Sequence, residues 1–86
     1  MTAEQAEVTA LQALAFLAAD EDRLARFLAA SGTDAATLRD QAGSRDLAVA
    51  ILDFMLSDEV LLLEFCGHES IDPRNMLRMR HSLGGV

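Results

Sequence analysis

The sequence predicts an all-α fold, a compact bundle of five or six short helices built as two similar three-helix halves. Three observations predict it. Apolar residues recur at helical spacing along most of the chain, Asp, Ser or Thr precedes each such segment where an N-cap is needed, and the chain aligns with itself at an offset of 38 residues. The stretch LAVAILDFMLSDEVLLLEF, Leu47 to Phe65, holds far fewer polar residues than any other run of its length, so the rest must fold around it. Asp53 and Glu64 interrupt it, and Ser57, Asp58 and Glu59 carry helix-starting chemistry, which makes it two helices. Neither apolar run reaches the roughly 18 residues of a membrane span.

In chain order, Thr2 is the first expected cap. Val8, Leu11, Leu14, Ala15 and Ala18 fall at helical spacing in an Ala-rich first helix, with Glu4 and Glu7 near its positive end. Asp20 caps a second helix, EDRLARFLAAS, with Leu24, Phe27 and Leu28 on one face and Gly32 as its stop. Asp34 caps a short third, AATLRDQA, which Gly43 ends. Ser44 opens the fourth, and the fifth is expected from about Glu59 to Cys66 with its stop at Gly67. Asp72 followed by Pro73, an N-cap with proline at the first helical position, opens the sixth, which Gly84 and Gly85 end.

The 38-residue shift lays segment 11–38 over segment 49–76 without a gap, and seven of the 28 pairs are identical. They are Leu14 and Leu52, Phe16 and Phe54, Asp20 and Asp58, Glu21 and Glu59, Leu24 and Leu62, Phe27 and Phe65, Asp34 and Asp72. Core and capping rules alone generate some of these matches; a duplicated unit would in addition pack against its copy about an approximate twofold axis. The expected core is Leu14, Phe16, Leu24, Phe27, Leu52, Phe54, Leu62 and Phe65. The halves also differ. Asp22, Arg23 and Ala25 correspond to Val60, Leu61 and Leu63, and Ala13 and Ala18 to Ile51 and Leu56, which gives the second half extra apolar surface. The first helix is expected to cover part of it, and a second chain the rest.

Composition points the same way. At 86 residues, read as one domain over 1–86, the chain buries only about 60 to 65 per cent of its unfolded surface. A hydrophobic share of 51% in so small a protein invites an oligomer. Cys66 is the only cysteine, so no disulfide forms within the chain, and MTAEQAEV lacks the basic region and apolar core of a signal peptide. The expectation is a reduced, cytoplasmic protein. Residues 1–72 hold all 14 acids and four arginines, a net of −10, whereas residues 73–86 hold Arg74, Arg78 and Arg80 and no acid, a net of +3. An overall charge of −7 argues against nucleic acid or an anionic membrane as the main partner and leaves the tail as a local exception.

CGHESID, Cys66 to Asp72, is where ligand-type residues crowd together. One Cys with a His two positions later lacks the paired spacing of a zinc site, and adjacency in a turn does not supply a nucleophile with an oriented base. No catalytic residue, metal or cofactor is assigned; a metal-binding protein or small enzyme at Cys66 to Asp72 is the second alternative. AATLRDQAGSRDLAVAILDF has a helix–turn–helix outline, but its second helix offers Leu47, Val49, Ile51 and Leu52 rather than base-reading side chains, with Asp46 and Asp53 to repel phosphate. Asp53 and Glu64 read as the solvent-facing edge of apolar helices, and the alignment sets Glu64 opposite Arg26 as a salt-bridge pair.

The last helix is the best candidate for a functional surface. Met76, Met79 and Leu83 fall on one side, and Arg74, Arg78 and His81 on the other. In one reading the apolar side docks on the bundle and the arginines are a solvated face. In the other, Arg74 and Arg78 grip an acidic surface or phosphate while the methionines adapt to a partner. With the surplus on the second half, the candidate interaction surface is Arg74, Arg78, His81, Met76, Met79, Val60, Leu61 and Leu63. The favoured function is a non-enzymatic protein–protein interaction module that self-associates as a homodimer; the alternative is a nucleic-acid accessory protein using the basic last helix.

RFLAASGTDAATLR followed by LAVAILDFMLSDEVLLLEF resembles a bacterial family of short all-helical proteins of uncharacterised function, from roughly the second helix to Asp72 and Pro73. The resemblance implies a compact helical fold and a bacterial cytoplasmic setting. It transfers no catalytic residue.

Overall fold

The computed structural model describes residues 2–84 and contains six helices among them: α1 (Ala3–Ala18), α2 (Glu21–Ser31), α3 (Ala35–Gln41), α4 (Arg45–Leu56), α5 (Glu59–Glu69) and α6 (Pro73–Ser82). Side chains fix every start. Thr2 Oγ1 accepts from the Gln5 N–H while Gln5 Oε1 accepts from the Thr2 N–H, a reciprocal capping box. Asp20, Asp34, Ser44, Asp58 and Asp72 each accept from first-turn N–H groups that would otherwise lack a partner.

Helix α4 is the centre, packing against α1, α2, α5 and α6. Its Leu47, Ala48, Ile51, Leu52 and Met55 are buried, which is why the helix–turn–helix outline presents core side chains rather than a recognition face. The eight expected core residues lie in this core or against it: Phe27, Leu52 and Phe65 are buried, and Leu14, Phe16, Leu24, Phe54 and Leu62 are partly buried.

Helix boundaries recur at the 38-residue shift. Helices α1 and α4 end at Ala18 and Leu56, α2 and α5 run Glu21–Ser31 and Glu59–Glu69, and α3 and α6 begin at Ala35 and Pro73. Two aromatic contacts join the halves, Phe16 with Phe65 and Phe27 with Phe54, and the shift exchanges one pair for the other.

Two local expectations give way to the structure. The first helix buries Ala6, Thr9, Ala10, Ala13 and Leu17, not the stripe through Val8 and Leu11, which are exposed. Helix α1 packs most extensively on α4, and small side chains on its inner face let the two backbones approach closely. The fifth helix runs past Gly67 to Glu69 and ends at Ser70, whose φ of 56° is left-handed. That turn brings the N–H groups of Ser70 and Ile71 onto the Cys66 carbonyl, so the helix end is satisfied one turn later than the glycine marks it. Gly84, in a left-handed conformation, follows α6; Gly85, also expected there, lies outside the described residues.

Candidate functional site

Helix α6 lays one side on the bundle, burying Met76 and Met79, with Leu83 buried just beyond its end. Met76 and Met79 are therefore core residues and leave the candidate surface. Leu61 leaves it too, buried on the inner side of α5, because a residue one position after exposed Val60 is turned about 100° round the helix. Arg74, Arg78 and His81 remain exposed, together with Leu77, which the sequence did not single out.

The basic face is already partly engaged. Arg74 folds back on its own helix cap, Nη2 donating to Asp72 Oδ2 at 2.9 Å. Hydrogen bonds from the Arg74 side chain and then its backbone hold the Asp72 carboxyl below the usual carboxylate range. Arg80, with its side chain only 13% exposed, donates from Nε to Asp53 at 2.6 Å and from Nη1 to the Gly84 carbonyl at 2.7 Å, tying the end of α6 to α4. Among the described residues, Arg78 and His81 carry no ion pair.

Helix α5 presents the apolar part of the surface. Val60 is 67% exposed and Leu63 51%, three residues apart and so adjacent on the helix, facing away from the buried Leu61 and Phe65. Val60 also lines a groove between the starts of α2 and α5 with Asp20, Asp22, Asp58, Glu64, Arg23 and Arg26. There Arg23 Nη2 donates to Glu64 Oε2 at 2.5 Å, while Arg26 approaches Asp58 at 3.9 Å, so the expected Arg26–Glu64 pair does not form. The reason lies beneath: the Arg23 guanidinium sits 4.5 Å from the centre of the Phe16 ring, a cation–π contact that aims it at Glu64.

Cys66 and His68, neighbours in sequence, part company on the helix. Cys66 is buried, and burial, helped by the Asp72 charge, pushes its thiol up. His68 is exposed, its ring 5.5 Å from that of Phe16. Among the described residues no group of three or more His, Cys, Asp or Glu is placed to hold a metal ion.

These features define a small all-α bundle protein that turns large apolar side chains outward on α5, beside an acidic groove, as it does with Val8 and Leu11 on α1. The chain belongs to the family described as protein of unknown function DUF3572, whose model matches residues 3–86. No curated protein and no solved structure matches it significantly. No helix among the described residues is long and apolar enough to cross a membrane.

Proposed function

We propose that this protein is a non-enzymatic protein–protein interaction module of the bacterial cytoplasm that pairs with a second copy of itself. The observation that carries the reading is the outward placement of Val60 and Leu63 on α5. Their counterparts at the 38-residue shift, Asp22 and Ala25, are exposed as well, so both positions face solvent in both halves and carry large apolar side chains only in the second. Packing within the chain gives no reason for that difference, whereas burial against another surface does. A reduced compartment suits the buried, unpaired Cys66.

The nucleic-acid reading, on Arg74, Arg78 and His81, has less support, because Asp72 already holds Arg74 and the chain carries a net charge of −7. A metal or catalytic role at Cys66 to Asp72 has less again, since its thiol and imidazole do not converge.

Molar mass by light scattering, at high and low concentration in reducing buffer, tests the proposal. A dimer that dissociates in Val60→Glu with Leu63→Glu supports it, and both replacements are tolerable in the monomer because the side chains are exposed. A strict monomer at every concentration overturns it.

A further inference from the structure

Gly67 lies inside α5, not at its end, and glycine there weakens the helix. Nothing in the chain requires it: a Cβ built on Gly67 meets no atom within 4 Å, and the backbone is helical. Its counterpart at the 38-residue shift is Ala29, exposed on α2, so the same position in the other half takes the better helix former. Val60, Leu63 and Gly67 follow one another at i, i+3 and i+7, an outward stripe with two apolar knobs and one gap, flanked at i+4 by the exposed Glu64 that Arg23 pairs.

Resting on the self-association proposed above, we infer that two copies pair through this stripe, α5 against α5 in antiparallel directions, with Leu63 of each copy seated over Gly67 of the other. Leu63 and Gly67 are four residues apart, so a twofold axis midway between them sets each leucine opposite the other copy's glycine. The absent side chain leaves room for the other copy's leucine, and each atom added at position 67 pushes the backbones further apart.

Charge fixes the direction. Around the start of α5 stand Asp20, Asp22, Asp58 and Glu59 with Arg23 and Arg26, four acids against two arginines, a net of −2, while Glu64 lies at the middle of the helix. Around its end stand Glu69 and Asp72 with Arg74 and Arg78, a net of zero, and His68 in addition. A parallel pair would bring the two negative ends together. An antiparallel pair sets each against the balanced end and opposes the helix dipoles.

The test is the dimer dissociation constant and the melting temperature of Gly67→Gln and Gly67→Ala, beside the wild type and the Val60→Glu, Leu63→Glu variant. Gly67→Gln is expected to weaken dimerisation at least tenfold. The Tm of the dissociated chain should meanwhile rise by about 2–4 °C, because glutamine is the better helix former and meets open space. Gly67→Ala should raise Tm further and weaken the dimer less. A wild type that is monomeric throughout overturns the self-association reading itself. A dimer lost in Val60→Glu, Leu63→Glu but unchanged in Gly67→Gln leaves self-association standing and overturns the crossing at Gly67. Mixed Leu63→Cys and Gly67→Cys chains should crosslink faster than either alone; faster crosslinking of Leu63→Cys with itself overturns the antiparallel direction.

Discussion

The ring of Phe16 meets that of Phe65 edge to face, with 5.4 Å between centroids and 61° between planes. Phe54 meets Phe27 in the same manner at 5.3 Å and 71°, and the 38-residue shift turns the first contact into the second. Each pair joins one half of the chain to the other, so the halves are held by equivalent aromatic contacts.

In such a contact the positive edge of one ring faces the negative face of the other, which adds about 0.5–1.5 kcal/mol beyond the area buried. Double-mutant cycles with leucine at Phe16 and Phe65, and at Phe27 and Phe54, should each return a coupling in that range by urea denaturation. Zero coupling in both would mean that the rings act only as buried volume. Phe65→Ala should cost more than Phe16→Ala, since Phe65 is fully buried and Phe16 partly exposed; about 3–5 kcal/mol is expected for the buried ring.

On α1 the inner stripe is alanine. Ala10→Leu forces three extra carbons between α1 and α4 and should cost about 1–3 kcal/mol, whereas Leu11→Gln, one position along and exposed, should change stability by about 0.5 kcal/mol or less. Equal effects in chemical denaturation would contradict the packing of this helix.

Much of the architecture was legible because it rests on local rules. The six N-caps could be read directly, since an Asp, Ser or Thr ahead of an apolar segment satisfies N–H groups wherever the segment later packs. The inner face of α1 was not legible, because Val8 and Leu11 form a second stripe of helical period and only the closeness of α4 selects the alanines. The outward side of α5 was half legible. The 38-residue comparison picked out positions 60, 61 and 63, but burial separates Leu61 from its neighbours. Gly67 gave the opposite of its usual signal, continuing a helix that Ser70 ends. Arg23 gave none, because its place depends on Phe16, on another helix.

Acid should loosen the fold at two caps. Asp34 is held below its usual value of 3.8 chiefly by the Thr37 backbone N–H, and Asp72 by hydrogen bonds from Arg74. In both, the folded state favours the carboxylate, so the unfolded chain takes up the proton first and stability falls as pH drops. The contribution is fully present above the unfolded value near 3.8 and is lost as pH falls through the lower folded values. Urea midpoints should hold steady from pH 7 to about 5 and then decline. Asp34→Asn with Asp72→Asn should flatten part of that decline. An unchanged slope in the double variant would place the acid sensitivity elsewhere.

Helices α2 and α5 end in the same left-handed turn, but Gly32 makes it in one and Ser70 in the other, with φ of 72° and 56°. A side chain in this region brings its Cβ against backbone, costing roughly 1–2 kcal/mol that glycine avoids. The Ser70 position is exposed and its side chain makes no hydrogen bond among the described residues, so serine has nothing there to offset the strain. Ser70→Gly should therefore stabilise the chain by about 0.5–1 kcal/mol, the gain reduced by glycine's greater freedom when unfolded. Gly32→Ala should destabilise it by about 1 kcal/mol, although a Cβ there meets no neighbour within 4 Å, because the cost lies in the backbone angle and not in crowding. Thermal melts of the two variants should move in opposite directions. A loss of stability in Ser70→Gly would mean that the serine side chain contributes more to this helix end than its exposed position provides for.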